Sequence, residues 1–331
     1  MNILITGVHG FVGSNLVRAL APQNKIYGLD IIAPEKQGVV KTFSWNDLGK
    51  SDFPKIDAVI HLAGKAHDTI NKSAADVYFK VNTGLTQRIF DWYLANPSAK
   101  KFIFFSTVKS AADRVDGAFL TEECVPTPVG PYGESKIKAE NYIISRFAPK
   151  ALERPFHNFD DSDLVVSGKQ VYILRPCMIH GPGNKGNLNL LYGVVSKGIP
   201  WPLGAYENRR SFTSVDNLCF VIEGLLTKDI PSGIYLMADD EALSTNELIQ
   251  VICEALGKKA RIWRIPKGLM NAVARIGGWL HLPLNPIRMQ KLTENYVVSN
   301  EKVKAALGIE RMPVRAKDGL RDTIRSFSKI L

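Results

Sequence analysis

Residues 2–13 read Asn-Ile-Leu-Ile-Thr-Gly-Val-His-Gly-Phe-Val-Gly, an apolar, β-branched run followed by three glycines spaced three residues apart. The run predicts a buried strand over residues 2–6, and apolar residues three and four apart predict a helix over residues 11–20. A strand, a glycine-rich turn and a helix in this order are typical of a dinucleotide-binding unit. In such a unit Gly7 allows the tight turn, Gly10 lets the backbone approach a pyrophosphate, and Gly13 lets the helix pack closely on the strand.

The predicted helix opens at Phe11 and Val12, where free backbone amides and the positive end of the helix dipole favour an anionic group. Asp30 ends the next predicted strand, 17 residues after Gly13. An acidic side chain at about this place accepts hydrogen bonds from the adenosine ribose of a dinucleotide. It also repels a 2′-phosphate, and no Arg or Lys adjoins it in the sequence. The pattern therefore favours NAD over NADP.

Strand and helix patterns alternate through the first half of the chain, which predicts an α/β fold with a doubly wound parallel sheet of the Rossmann type. The further predicted strands are Lys25–Asp30, Asp57–Leu62, Lys101–Ser106 and Val171–Leu174, and the further predicted helices are Val77–Leu94, Thr245–Leu256 and Asp318–Ser328. Glycine, proline and asparagine between residues 181 and 187 predict a loop. The acid-rich segment 150–169 is expected to be a surface excursion.

A second motif, Tyr132-Gly-Glu-Ser-Lys136, follows a proline that suits the first turn of a helix. Tyr132 and Lys136 then lie at i and i+4 on one helix face. A nearby ammonium group lowers the pKa of a phenol from about 10 towards neutrality, which makes the phenol usable as a general acid or base. Upstream, the apolar strand pattern ends in Ser106 and Thr107, which delivers hydroxyl groups to the carboxyl edge of the sheet.

The composition is that of an ordinary folded protein, with 331 residues, 45% of them hydrophobic and 22% charged. Forty-two Lys and Arg against 32 Asp and Glu give a formal charge of +10, which favours anionic partners. The four cysteines are widely spaced, and the six histidines show no metal-ligand spacing. We therefore expect a reducing, cytoplasmic environment and no bound metal.

The N-terminus lacks the basic residues and the uninterrupted apolar run of a secretory signal. The longest later apolar stretch, Leu269 to Leu284, is too short to span a bilayer. We expect it to pack over a substrate cleft or against the core rather than on a membrane surface, with no membrane insertion. The basic residues from Lys302 to Arg325 are spaced as on a solvated helix face and do not require nucleic acid.

Together these patterns resemble the extended short-chain dehydrogenase/reductase family, in its branch of sugar-nucleotide epimerases, dehydratases and reductases. The resemblance covers nearly the whole chain. The matching motifs are Thr-Gly-x-x-Gly-Phe-x-Gly at residues 6–13, Asp47-Leu48, His61-Leu62-Ala63-Gly64, Val81-Asn82, Thr107 placed 25 residues before Tyr132, Arg175-Pro176 before Gly181-Pro182-Gly183, and Arg209-Arg210 before Asp216.

The resemblance implies that Tyr132 exchanges a proton with an oxygen at C4 of the sugar, that Lys136 lowers the pKa of this tyrosine and binds the nicotinamide ribose, and that Thr107 hydrogen-bonds the same oxygen. The cofactor contacts that it implies, besides the three glycines and Asp30, are Phe11, Val12, Ile31, Asp47, Leu48, Leu62, Ala63, Gly64, Asn82, Ser106, Tyr132, Lys136 and Pro176. Of these, Asp47 belongs to a motif that resembles the one that meets the adenine. The substrate contacts that it implies are Lys109, Asn187, Leu188 and Arg210, with Lys185 as a further candidate.

The activity that it implies first is an NAD-dependent epimerase at C4 of a UDP-hexose or UDP-N-acetylhexosamine, working through a 4-keto intermediate in surface-polysaccharide synthesis. An alternative is an NAD(P)H-dependent reductase of a 4-keto-6-deoxy sugar nucleotide. A dehydratase of the family carries an acidic residue and then Glu after the catalytic threonine, where this chain has Val108 and Lys109. A third possibility, of another class, is a non-catalytic dinucleotide-sensing or structural protein on the same fold.

The expected domains are an NAD-binding domain over residues 1–175, to which the chain returns at about 210–237, and a smaller substrate-binding region over 176–209 and 238–331. The expected partner is a nucleotide sugar, with UDP as the nucleotide. The family also makes a homodimer possible.

Overall fold

The first strand, β1, and the helix after it, α1, have the bounds that the sequence predicts, Asn2–Thr6 and Phe11–Leu20. The computed structural model describes residues 1–65, 74–154, 159, 168–184, 186–279 and 285–328. Most of the segment 150–169, Lys185 and the end of the apolar stretch at residues 280–284 lie outside these ranges.

The other strands, in chain order, are β2 Lys25–Leu29, β3 Val39–Phe43, β4 Ala58–His61, β5 Lys101–Phe105, β6 Gln170–Pro176, β7 Met178–His180, β8 Phe212–Ser214 and β9 Gly233–Met237. The helices after α1 are α2 Ala75–Tyr78, α3 Leu85–Ala95, α4 Val108–Ala111, α5 Gly130–Phe147, α6 Asn187–Ser196, α7 Val215–Thr227, α8 Thr245–Ala255, α9 Lys267–Trp279, α10 Pro286–Thr293, α11 Glu301–Leu307 and α12 Ala316–Ser328. A π-helical turn, Phe79–Gly84, joins α2 to α3.

Seven of these strands form one parallel sheet in the order β3-β2-β1-β4-β5-β6-β9. The order reverses between β1 and β4, and in sheets of this kind ligands bind outside the carboxyl ends of the strands at that reversal. The predicted doubly wound α/β fold is confirmed, and the reversal brings the ends of β1, β4 and β5 to one place.

Helices cover both faces of the sheet. Successive side chains of each strand point to opposite sides, so each strand contributes to both cores. In β1, Ile3 and Ile5 pack in a core with α1, α7 and α11, whereas Leu4 packs in the other core with α3 and α5. The buried strands therefore read as continuous apolar runs.

The segment from α7 to β9 lies on the sheet, since β9 pairs with β6 and α7 packs against α1. Val303 and Leu307 of α11 join the same core. The helices α6, α8 and α12 form a separate apolar cluster with Leu188, Leu248 and Ile324 among its members. The division into two domains stays a prediction.

The apolar stretch that begins at Leu269 forms α9, and only one face of this helix is buried. Met270 and Ala274 pack in a small cluster with Leu203 and Met289. Leu269, however, is exposed, together with other apolar side chains of α9. The expected packing of this stretch is confirmed for the face that holds Met270 and Ala274, while the other face is exposed. None of the described helices is both long and apolar enough to cross a membrane.

Candidate active site

The glycine loop after β1 is packed as a dinucleotide site requires. The Gly7 amide donates to the carbonyl of Leu29, and the Gly10 amide donates to the carbonyl of Gly7, each at 3.0 Å. A Cβ atom on Gly13 would lie 2.5 Å from the Gly7 oxygen, so no side chain fits there. No side chain caps α1, which leaves the first-turn amides at Phe11 and Val12 without intrahelical partners. The loop therefore fits a bound pyrophosphate.

Asp30 follows β2 and faces the same loop. Its carboxylate accepts hydrogen bonds from the His9 amide at 3.2 Å and from the Ile31 amide at 2.8 Å. The Ile31 side chain is exposed. A lysine that does not adjoin Asp30 in the sequence lies within its electrostatic reach: Lys36 interacts with the Asp30 charge and donates a hydrogen bond to the Ser14 hydroxyl. The carboxylate at this position, which favours NAD, is unaffected.

Asp47 was expected to meet the adenine, and in the structure its carboxylate is already engaged. It accepts hydrogen bonds from the Ser44 amide at 3.0 Å and from the Ser44 hydroxyl at 2.6 Å, and pairs with Lys50 at 2.8 Å. These contacts hold its pKa well below the usual range. Leu48, the next residue, packs partly against the core. The Asp47 side chain thus caps a short 3-10 turn, and a contact with the adenine stays a prediction.

The end of β4 is tied to β1 by Thr6, a residue of the glycine motif whose bonding the sequence does not predict. The Thr6 hydroxyl oxygen accepts from the amides of Leu62 and Ala63, at 3.1 and 2.9 Å. It also lies 2.6 Å from Nδ1 of the buried His61. These bonds fix the backbone of Leu62, Ala63 and the exposed Gly64 beside the glycine loop.

Asn82 lies in the π-helical turn, inside the segment where the sequence predicts one uninterrupted helix. Its side-chain oxygen accepts from the Lys65 amide at 2.7 Å, and its amide group donates to the Ser135 hydroxyl at 2.9 Å. The fully buried Asn82 therefore joins the chain after β4 to α5, on which Tyr132 and Lys136 lie. An extra residue in a helical turn is common at functional sites, because it aims a side chain out of the regular pattern.

Thr107 and Tyr132 meet at the carboxyl end of β5. Their side chains share a hydrogen bond. Thr107 is also the N-cap of α4, and its hydroxyl oxygen accepts from the Lys109 amide at 3.2 Å. The close approach depends on Gly133, since a Cβ atom at this position would lie 2.6 Å from the Lys109 carbonyl oxygen. The glycine between the motif residues therefore lets α4 and α5 touch.

Lys136 lies one turn after Tyr132, and its Nζ donates to the carbonyl of Phe105 at 2.8 Å. Burial lowers the pKa of Lys136 to about 8, and the Glu140 carboxylate partly offsets that effect. The expected lowering of the Tyr132 pKa is not found: burial raises it, and the hydrogen bond with Thr107 counteracts only part of the rise. The ammonium group is bound at the end of β5, through the Phe105 carbonyl.

Behind these groups lies a buried ion pair that the sequence reasoning did not identify. Glu140 pairs with Arg175 at 2.6 Å, and both side chains are inaccessible to solvent. The same carboxylate accepts hydrogen bonds from the hydroxyls of Ser106 and Ser110. The Ser110 hydroxyl oxygen also lies 2.7 Å from the carbonyl oxygen of Thr107. The i+4 step from Lys136 to Glu140 is a sequence signal that could have revealed part of this network.

The expected cofactor contact Pro176 is the buried last residue of β6 and pairs with β9. The loop after it reaches the cofactor site from the other side. The Phe11 ring packs near Gly181 and Gly183, and the Asn15 side chain donates to the carbonyl of Pro182 at 3.0 Å. Asn15 has no motif that would have marked it in the sequence.

The residues expected to contact the substrate do not all lie in one place. Lys109 pairs with Asp113 at 3.1 Å and lies over the Tyr296 ring. The Leu188 side chain is buried in the cluster of α6, α8 and α12, and a contact of this residue with substrate stays a prediction. Arg210 lies 3.5 Å from Glu294.

Asn187 opens α6, where the sequence predicts a loop, and its side chain lies outside the described part of the chain. Tyr296 connects the Arg210 segment to the active-site side: its carbonyl accepts from the Ser211 amide at 2.9 Å and its hydroxyl donates to the Ala112 carbonyl at 2.7 Å.

Comparison with known proteins gives a family and relatives along the whole chain. Residues 3–238 match the model of the NAD dependent epimerase/dehydratase family. The UDP-glucose 4-epimerase of Vibrio cholerae is 28% identical, over 98% of this chain and 95% of its own length. The N-acetyl-alpha-D-glucosaminyl-diphospho-ditrans,octacis-undecaprenol 4-epimerase of Escherichia coli O157:H7 is 27% identical, over 92% of this chain and 84% of its own.

Among solved structures, MoeE5 in complex with UDP-glucuronic acid and NAD is similar over all of both chains, with a TM-score of 0.73 and 20% identity. A likeness at this identity concerns the fold. The family match covers the strands, the glycine loop and the Tyr132 helix described above. The chain belongs to the NAD dependent epimerase/dehydratase family.

Proposed function

We propose that this protein is an NAD-dependent 4-epimerase of a sugar nucleotide, with a UDP-hexose or a UDP-N-acetylhexosamine as substrate. The observation that carries the proposal is the hydrogen bond between the side chains of Thr107 and Tyr132, one helical turn from Lys136. The similarity to a UDP-glucose 4-epimerase over 98% of the chain supports the substrate class.

The proposed chemistry divides between cofactor and side chains. The glycine loop and Asp30 would hold NAD, which would supply the acceptor and donor of the hydride at C4 of the sugar. Tyr132 takes the proton of the 4-hydroxyl group and gives it back, and Thr107 hydrogen-bonds the same oxygen. The 4-keto sugar turns over between the two transfers, so the configuration at C4 is inverted.

Lys136 acts on Tyr132 through its charge. Burial alone raises the pKa of this tyrosine, which holds the phenol protonated at neutral pH. A proton acceptor at that position therefore needs a positive charge nearby, and the ammonium group of Lys136 lies within one turn of the helix. Glu140 favours that charge, because its carboxylate raises the pKa of Lys136 against the effect of burial.

The experiment is to incubate the purified protein with UDP-glucose, UDP-N-acetylglucosamine and catalytic NAD, and to separate the products by chromatography. We expect interconversion with the C4 epimer and no net change in NADH absorbance. Stoichiometric consumption of NADH or NADPH with a 4-keto-6-deoxy sugar nucleotide, without epimerisation, would establish the reductase instead. Cofactor binding without turnover of any sugar nucleotide would favour the non-catalytic alternative.

Tyr132→Phe tests the assigned proton carrier. We expect activity to fall by about 100-fold or more, in the range typical of general acid–base catalysis, while NAD binds as in the unaltered protein. Tyr142→Phe is the matched control, since Tyr142 lies on the same helix and bonds to the exposed carboxylate of Asp91. Full activity of Tyr132→Phe would refute the assignment.

A further inference from the structure

The positive charge of this protein is concentrated in one segment. Residues 255–293, hereafter the basic segment, contain eight Lys and Arg and no Asp or Glu. The rest of the chain contains 34 Lys and Arg and 32 Asp and Glu, and is therefore nearly neutral. Almost the whole net charge of +10 thus comes from 39 residues that include α9 and α10.

The basic side chains that the structure describes in this segment face solvent. They are Lys258, Lys259, Arg261, Arg264, Lys267, Arg275 and Lys291. The segment is tied to the body of the protein on its other side: the Trp263 amide donates to the Trp201 carbonyl at 2.8 Å, and Met270 is buried beside Leu203. The charges are therefore held on the outside of a packed element.

The helix α9 in the middle of the segment carries a second apolar face. Leu269, Val273, Ile276 and Trp279 follow at intervals of four, three and three residues, which places them on adjoining parts of one side of the helix. Leu269 is 57% exposed, Ile276 56% and Trp279 81%. The buried residues Met270 and Ala274 lie on a different side. A helix that is apolar on a solvent-facing side needs a partner for that side.

We propose that the exposed face of α9 and the surrounding basic residues dock this protein on the surface of an anionic lipid bilayer. Exposed Leu, Ile and Trp side chains enter the boundary between headgroups and acyl chains, and Lys and Arg next to them attract anionic headgroups. Trp279 at the end of the helix and Trp263 before it supply the aromatic rings that are enriched at membrane interfaces. The 13-residue helix is too short to span, so it lies along the surface.

Charge disfavours the simplest other occupant, a second copy of this chain bound face to face. A two-fold interface brings the same patch of each copy together. Here it would place two segments with eight positive charges each against one another, which is unfavourable. An anionic bilayer is complementary both to the charge and to the apolar side chains.

The test is co-sedimentation of the full-length protein with lipid vesicles. We expect binding to phosphatidylcholine vesicles that contain about one third phosphatidylglycerol, little binding to pure phosphatidylcholine, and weaker binding as salt is raised. Leu269→Ser with Ile276→Ser should weaken binding by about tenfold or more, since the two side chains supply a large share of the apolar contact. Val40→Ser, an equally exposed apolar residue on the sheet edge, is the matched control and should bind unchanged.

A second pair of variants separates charge from apolar contact. Lys259→Gln with Arg264→Gln should weaken binding to the anionic vesicles, whereas Lys25→Gln with Lys100→Gln, exposed lysines outside the basic segment, should not. The molecular mass of the protein in solution tests the alternative, in which a second copy of this chain covers the exposed face of α9. Absence of vesicle binding, equal binding to neutral vesicles, or a dimer that the Leu269→Ser and Ile276→Ser changes dissociate would each overturn the proposal.

Discussion

The Asp30 carboxylate lies between the glycine loop and the end of β2, where it holds the His9 and Ile31 amides. We expect Asp30→Ala to weaken NAD binding by about tenfold or more, because hydrogen bonds to a charged group contribute about 1.5–3 kcal/mol each. The ratio of NADP to NAD affinity should rise, since the repulsion of a 2′-phosphate is removed and Lys36 lies nearby. Calorimetric titration measures both affinities. Asp52→Ala, an exposed carboxylate, is the control, and an unchanged ratio would contradict the role of Asp30.

Lys136 gives a prediction about pH. Its pKa of about 8 means that its positive charge is present below that pH and is lost above it. If the charge assists Tyr132, kcat/KM falls as the pH rises through about 8. Because the Glu140 carboxylate raises the pKa of Lys136, Glu140→Gln should move this fall to lower pH. A pH profile of kcat/KM for both proteins measures the shift.

The control for this shift keeps the Glu140 carboxylate and removes a hydroxyl group that bonds to it. Ser110→Ala loses one hydrogen bond to Glu140 but no charge, so the pH of the fall should stay in place. Removing one partner of a buried ion pair costs about 3–5 kcal/mol of stability. The Glu140→Gln profile is therefore recorded at a temperature where circular dichroism shows the folded state. Profiles that coincide would contradict the coupling between Glu140 and Lys136.

Single residues were predictable from the sequence where a local pattern fixes them. The glycines of the loop and the Tyr132 to Lys136 spacing are of this kind. The bonding of Asp47 was also readable, since Ser44 three residues earlier forms the pattern of a helix cap. Glu140 and Arg175 lie 35 residues apart and meet only through the sheet, so no local pattern could predict their pairing.

At the scale of elements, the contact between α4 and α5 decides whether Thr107 reaches Tyr132. Gly133→Ala places a Cβ atom 2.6 Å from the Lys109 carbonyl and must push the two helices apart. We expect a loss of activity of about 10- to 100-fold, the order that a displacement of about 1 Å produces. Gly193→Ala in α6 is the matched control, because its Cβ would contact nothing and alanine favours a helix. Equal activity of the two variants would contradict the positioning role of Gly133.

Elements with a strong period were predicted well, and interruptions of the period were not. The bounds of β1 and α1 agree to the residue, while the predicted helix 77–94 contains a π-helical turn. Apolar spacing of three and four continues across such a turn, so the pattern does not reveal it. Its cause lies in tertiary contacts, since Asn82 bonds to Ser135 and to the backbone of Lys65.

At the scale of the whole molecule, His61 makes stability depend on pH. The ring is buried between the hydroxyls of Thr6 and Thr86, and burial lowers its pKa well below 6.5. The folded protein therefore keeps His61 neutral where the unfolded chain binds a proton. Its contribution to stability is complete above pH 6.5 and decreases below it, by up to about 1.4 kcal/mol per pH unit.

Urea unfolding at several pH values measures this effect. We expect the free energy of unfolding to fall more steeply with acid in the unaltered protein than in His61→Gln, which has no titrating ring. The comparison uses the slopes, because the substitution itself also lowers stability through lost hydrogen bonds. Parallel curves would show that His61 is protonated in the folded state.

The fold class and the family were predictable from the sequence because the motifs follow one another in a fixed order along the sheet. The placement of the regions after β9 was not. The sequence shows that α9 is apolar, but only the packing of Met270 and Ala274 shows which face is buried. The count of charged residues gives the net charge of +10, but it does not show where that charge lies on the folded chain.

That distribution gives the molecule a large electric dipole moment. A nearly neutral body with its positive charge concentrated in one segment experiences a torque near a negatively charged surface, even before the two are in contact. The protein would therefore approach such a surface in a preferred orientation, with α9 leading. Orientation is then settled by the long-range field, and the side chains of the helix act only in the last few ångströms.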